Sequence, residues 1–400
     1  MQRPDQQPDI AKVAAAFRMQ RKQLLDLCIQ VQQIPAPTGQ EQGRAAWVEE
    51  AFRARGLQDV SRDEEQNVYG RIPGRQSGPA LMVSAHTDTV FPLETDLSIR
   101  VDSQAERVYG PGLGDNSTGV AGLLALARVL ARYTPPTDIW LVANSGEEGL
   151  GDLRGMRAAV DRLQNNLGAA IVIEGMGLGR IVHRALGSRR YRISATAPGG
   201  HSWSDFGEAS AIHGLTRLAA DLTRLDAPET PRTTFNIGRI AGGTSINTIA
   251  QTAWLELDMR SETPAGLAAI DAQVQAIMQR YQTGAAKNAD IEFSIETIGD
   301  RPSGEISAQH PLVIGAVNAL AQAGLTGIPE LSISSTDANI PLSRGIPAVC
   351  VGITEGGNAH RLEEWITPRL LPRGMQHLLL LTWQAAEWLT GEAAPRGAGT

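Results

Sequence analysis

The chain has 400 residues and only two cysteines, Cys28 and Cys350. They lie far apart, one in a helical pattern and one in a strand-like run, so no disulfide framework is available and a reducing compartment is the expectation. Basic residues are not in excess: 36 Lys and Arg stand against 43 Asp and Glu, a formal net charge of -7. Without a basic stripe or tail to attract phosphates, nucleic acid is excluded as an expected partner. No run approaches the roughly 18 apolar residues of a membrane span. The N-terminal MQRPDQQPDIAKVAAAF also lacks the apolar core of a signal peptide. These absences together predict a cytoplasmic protein with no membrane partner.

What is present is enough chain for two domains. Apolar residues recur at helical spacing from Ile10 to about Gln33 and stop at IPAPTG, and a second helix is expected from about Gln40 to Arg55. The runs PALMVSAHTD, DIWLVANSGEE, AAIVIEG and IPAVCVGI are almost continuously apolar, as strands covered on both faces should be. A long helix, STGVAGLLALARVLARY, separates the first two. This alternation predicts an α/β domain with a mixed, mainly parallel sheet flanked by helices, formed by residues 1–188 and 301–400.

Between them, RRYRISATAPGG, TTFNIGRIAGG, TAWLELDMRS and ADIEFSIETIGD read as antiparallel strands, with helical segments near Ser210–Arg224 and Pro264–Arg280. They predict a smaller inserted α+β domain over 189–300. The tail GEAAPRGAGT is expected to be disordered.

Ligands of open α/β sheets gather beyond the carboxyl ends of the strands. His86, Asp88, Glu147, Glu148 and Glu174 all fall at such ends. Asp115 stands in the glycine-rich loop YGPGLGDNSTG, and His360 follows the last strand in GGNAHRLEEWI. Each has an ordinary reading alone: Asp115 as a helix N-cap, a strand-end histidine as a surface group. The adjacent Glu147 and Glu148 would repel unless a cation or proton sat between them. Taken together, they offer His, Asp, Glu, Glu and His from five strand-end loops. Such N/O donors without thiolate suit a pair of divalent ions, zinc first, with cobalt or manganese able to take the same set.

The motifs SAHTDTVFP, GLGDNSTGVA, SGEEGLGDLRG, VIEGMG, GGHSW, GGTSINTIA and STDANIPLSRGIPAVCVG followed by AH resemble, in order and spacing, those of the dinuclear zinc peptidases and deacylases. That family includes glutamate carboxypeptidase, aminoacylase, acetylornithine deacetylase, succinyl-diaminopimelate desuccinylase and tripeptide aminopeptidase. The resemblance implies that Asp115 bridges two metals, that His86 and Glu174 complete one site, and that Glu148 and His360 complete the other. It makes Glu147 the general base and gives Asp88 the task of orienting the His86 ring. In the inserted domain it implies an oxyanion-stabilising role for His201, reaching the active site of a partner subunit in a homodimer made through that domain. Asn247 and Arg260 would bind substrate near its carboxylate.

The expected reaction is hydrolysis of a peptide or N-acyl-amino-acid bond next to a free carboxylate. A di- or tripeptide aminopeptidase is the near alternative: Asn116 after the bridging Asp is closer to tripeptidases, whereas Glu174 in place of Asp is the carboxypeptidase and deacylase choice. A non-catalytic binding protein on the same fold is the distant one, and it is disfavoured because every expected metal and base position holds a competent residue.

Overall fold

The computed structural model describes residues 8–284, 286, 290–325 and 327–392. The expected disorder of the tail falls, from residue 393 onward, outside the described residues. The chain divides into two compact units, Met1–Ala185 with Glu305–Thr400, and Leu186–Gly304.

The first unit is built on a mixed sheet. Its strands are β1 (Gln58–Arg62), β2 (Val68–Ile72), β3 (Ala80–His86), β4 (Ile139–Asn144), β5 (Leu167–Met176), β6 (Arg180–Ala185), β7 (Glu330–Ser334) and β8 (Ala348–Thr354). They run in the order β1-β2-β4-β3-β5-β8-β6, with β7 also paired to β6. The pairs β4–β3, β3–β5 and β5–β8 are parallel, while β2–β4 and β8–β6 are antiparallel. All four apolar runs of the sequence thus lie side by side in the parallel centre. Every residue of β3 and β8 is buried, which is what continuous apolarity on a two-sided sheet requires.

Helices Gly119–Leu130, Pro311–Gln322 and Leu371–Leu389 contribute to one apolar core that includes Leu123, Leu126, Val313, Leu378 and Leu381. The long helix expected from Ile10 is broken. An α-helix, Ile10–Ala15, passes into a 3-10 turn, Ala16–Met19, and a second helix starts at Arg21. Ala14, Phe17, Leu24, Cys28 and Val31 still enter one core, the single stripe that helical spacing gives them, on either side of the break at Gln20.

The second unit is an antiparallel sheet in the order Thr233–Gly242, Thr252–Ser261, Gly187–Thr196, Glu292–Arg301. Residues of Thr252–Ser261 alternate strictly. Ala253, Leu255, Leu257 and Met259 are buried in a cluster with Leu215 and Leu218 of helix Ala211–Leu222 and Ile270 and Val274 of helix Pro264–Gln282. The other face carries ion pairs, Arg190–Asp258 at 2.8 Å and Arg192–Glu256 at 2.6 Å. Helix Pro264–Gln282 begins where Thr263 accepts the Gly266 amide and Pro264 takes the first turn, both favoured at a helix start.

Candidate metal centre

The parallel centre of the sheet delivers the candidate residues to one end. His86 closes β3 and lies opposite Asn144, the last residue of β4, while Glu174 lies opposite Gly352 of β8. The His86 ring is buried. Its Nδ1 is 3.2 Å from the Asp88 carbonyl oxygen and 3.5 Å from Asp88 Oδ1, and its Nε2 points to Asp115 Oδ1 at 3.2 Å and Glu174 Oε2 at 3.6 Å.

Asp115 lies in a wide turn over Leu113–Thr118, with φ -113° and ψ 94°. It does not cap the helix. Asn116 does that, its Oδ1 accepting the Gly119 amide at 3.1 Å while its Nδ2 donates to the Ile173 carbonyl at 2.8 Å. The Asp115 carboxylate is thereby left for the site. The loop lies so close to β5 that a Cβ on Gly175 would stand 1.9 Å from the Gly114 carbonyl oxygen, so only glycine fits beside Glu174.

The second imidazole comes from the far end of the chain. His360 Nε2 lies 3.2 Å from Asp115 Oδ2 and 3.0 Å from Glu148 Oε1. His360 and Asn358 have φ of 65° and 61°, a left-handed conformation disfavoured for side-chain-bearing residues and frequent at functional sites. Glu147 and Glu148 are both buried, and their backbone amides donate to the two Asp88 oxygens at 3.0 and 2.9 Å.

The charges fit a cation site. Burial opposes ionisation of Asp115, yet hydrogen bonds from His360 and His86 hold it well below the usual carboxylate range. Burial pushes Glu174 up against its contact with His86. Hydrogen bonds to Asp115 and Glu148 raise His360 to about 10. Two imidazoles and three carboxylates are thus packed together at 3.0–3.6 Å. Donors on a tetrahedral metal with bonds of about 2.0–2.1 Å are about 3.3 Å apart, so this spacing also suits donors arranged around an ion. The donor atoms of His86, Asp115 and Glu148 lie within 4.8 Å of one another and form a candidate metal site.

Residues 82–384 match the family Peptidase family M20/M25/M40. The chain belongs to this family. It is therefore an enzyme of a hydrolase family. It is 26% identical over 341 residues to succinyl-diaminopimelate desuccinylase of Corynebacterium glutamicum, covering 83% of this chain and 88% of that one. Carboxypeptidase G2 of a Pseudomonas species is 24% identical over 318 residues, covering 77% and 74%. Among solved structures, a Staphylococcus aureus tripeptidase superposes with a TM-score of 0.75 at 23% identity, over 92% of this chain and 99% of that one. A Bacillus subtilis dinuclear metal-binding peptidase of the M20 family gives 0.68 at 18% identity, over 93% and 99%.

Three buried charged groups around this M20 site carry no role in the sequence reading. Glu364 Oε1 accepts the amides of Gly114 at 2.6 Å and Asp115 at 2.9 Å, and its carboxylate also takes the His360 amide. Burial raises it to about 8. Its only signal in the sequence was a carboxylate four residues after His360. Asp337, inside the quoted STDANIPLSRG, is fully buried, accepts from Asn144 Nδ2 at 2.7 Å and is raised by burial to about 7. Arg44 is buried beneath Asp88; it donates to the Ile34 and Thr87 carbonyls, and burial lowers it to about 10 against the attraction of Asp88.

In the second unit, His201 and Asn247 lie on loops that meet. His201 pairs with Thr248 in a two-residue ladder, and the Ser202 amide donates to the Asn247 carbonyl at 3.0 Å. His201 Nδ1 accepts the amides of Trp203 at 3.2 Å and Ser204 at 3.4 Å, which places the ring proton on Nε2. Arg260 is elsewhere. It lies eight residues along its strand from Thr252, about 26 Å at ~3.3 Å per residue, and its Nε is engaged by Asp258 Oδ2 at 2.9 Å. Within the second unit, the strand Thr252–Ser261 thus separates Arg260 from the loop that carries Asn247.

Proposed function

We propose that the chain is a two-metal amide hydrolase that cleaves a peptide or N-acyl-amino-acid bond next to a free carboxylate. The observation that carries this reading is the placement of Asp115, whose two oxygens each face a different imidazole, His86 at one and His360 at the other. A carboxylate so placed is suited to bridge two cations, with His86 and Glu174 on one side and His360 and Glu148 on the other. Zinc is the leading choice, and cobalt or manganese suits the same oxygen and nitrogen donors.

When bound, the ions supply Lewis-acid polarisation and a more acidic water. Glu147 takes the proton from the attacking water and returns it to the leaving nitrogen. Asp88 holds the Glu147 amide and so fixes where that carboxylate sits. His201, with its proton on Nε2, is equipped to donate to the oxyanion of the tetrahedral intermediate. The reading includes a homodimer formed through Leu186–Gly304 and a cytoplasmic location.

The test is hydrolysis by the metal-reconstituted enzyme of N-acetyl-amino acids, free dipeptides and C-terminally amidated dipeptides. Cleavage of the acylated substrates with loss on amidation is expected. Activity confined to substrates with a free amine would replace the reading with an aminopeptidase, and hydrolysis that survives exhaustive chelation would overturn the metal mechanism.

A further inference from the structure

Beside the candidate metal centre, within the first unit, lies a cleft of about 430 Å³ lined by Glu148 together with Thr38, Val90, Leu150 and Arg154. Its size falls within the ~300–1,000 Å³ of small-molecule sites. Val90 and Leu150 each follow a site residue, Asp88 and Glu148, by two positions, and both are exposed, Leu150 to 73%. Their loops are fixed. The Asp88 carboxylate binds the Glu147 and Glu148 amides, and the Gly151 amide closes a turn on the Glu148 carbonyl at 2.8 Å. A group entering the cleft therefore meets two exposed apolar side chains beside Glu148.

The cation of the cleft is already engaged. Arg154 Nη2 donates to the buried Glu41 at 2.6 Å, and its Nε pairs with Glu65 at 2.9 Å. The guanidinium also packs on Gly146, where a Cβ would stand 2.4 Å from Nη1. One positive charge therefore faces two negative ones, and an acidic group entering the cleft meets repulsion rather than a free arginine.

We infer that this cleft is the subsite for an apolar substituent of the substrate, branched aliphatic or aromatic, and that it discriminates against acidic ones. The inference rests on the amide-hydrolase reading and names the substrate class for it. One series of substrates varies the acyl group on glycine and a second varies the amino acid under an acetyl group, each comparing aliphatic, aromatic and acidic substituents. The expected result is a preference of about tenfold or more in kcat/KM for apolar over acidic substituents in one series. Leu150→Asp should shrink that ratio about tenfold and Leu150→Met should keep it; at an exposed position neither change threatens the fold.

Calorimetric binding of the same compounds to Glu147→Gln protein, alone and combined with Leu150→Asp, reads the subsite without turnover and should show the same shift in Kd. Acidic substituents preferred in both series, or ratios untouched by Leu150→Asp, would overturn the inference. Absence of hydrolysis for every compound would sink the amide-hydrolase reading instead, and the calorimetric ratio would still decide the subsite.

Discussion

Asp88 binds the backbone of Glu148, accepting its amide at 2.9 Å with the same oxygen that takes the Thr38 hydroxyl at 2.9 Å. The other oxygen accepts the Glu147 amide. Burial opposes its charge, but contacts with His86 and these amides hold Asp88 down to about 2. Its task is wider than aiming His86, to which its carbonyl oxygen is nearer than its carboxylate. It joins a candidate histidine ligand to the loop that carries the proposed base.

Asp88→Ala should therefore lower kcat and metal affinity, by about 10–100-fold for outer-shell partners of this kind. Asp88→Asn keeps one acceptor oxygen and should fall between the two. Kinetics with metal analysis on both variants gives the order, and equal losses in the two would point to charge alone.

Glu147→Gln should reduce kcat by about 10²–10⁴-fold, the usual scale of general acid–base help, while bound metal stays at the wild-type level. Elemental analysis beside the kinetics separates a lost base from a lost ligand. Metal falling together with rate would move Glu147 into the ligand set.

Metal uptake should release protons. Hydrogen bonds to Asp115 and Glu148 raise His360 to about 10 in the metal-free chain; for His86, burial favours the neutral ring, but contacts with Asp115, Asp88 and Glu174 prevail and its pKa is raised well above the ordinary value. A cation needs neutral imidazoles, so loading near pH 7.5 expels about two protons and the apparent affinity rises with pH. Calorimetry in buffers of different protonation enthalpy counts them, and no release would show that the rings are neutral beforehand. The stability linkage runs the other way. The raised histidines stabilise the metal-free fold fully below the unfolded imidazole value of about 6.5, and that contribution is lost as pH climbs through about 10. The Tm of the metal-free protein should fall over that range, and metal should abolish the trend.

Glu364→Ala removes the acceptor of the Gly114, Asp115 and His360 amides, each costing about 1–3 kcal/mol if left buried and unpaired. Rate and metal affinity should both drop. Glu364→Gln retains an acceptor oxygen and should restore most of each, whereas a glutamine variant as damaged as the alanine one would mean that the charge, not the acceptor, matters.

The parts of the molecule legible in the sequence are those that residue type alone encodes. Four apolar runs became the parallel centre of the sheet, and the strand-end positions of His86, Glu148 and Glu174 follow from where apolarity stops. The role of Glu364 was not legible, because its partners are backbone amides and any residue has one. The separation of Asn247 from Arg260 was not legible for another reason: a short distance in sequence spans most of an extended strand. The break of the early helix at Gln20 was not legible, because Ala14, Phe17, Leu24, Cys28 and Val31 follow one helical stripe and their periodicity is the same with or without it.

The first unit is discontinuous, leaving at Ala185 and resuming at Glu305, and this sets an order of events during synthesis. His86, Asp115, Glu148 and Glu174 emerge early, while the neighbouring strand β8 and His360 emerge only after the whole of Leu186–Gly304. The nascent chain holds an open, acid-rich half-centre until its last quarter is made. With the proposed ligands so distributed, full metal occupancy would report that synthesis has passed His360, and a ribosome stalled inside Leu186–Gly304 would leave the first four proposed ligands without a closed site.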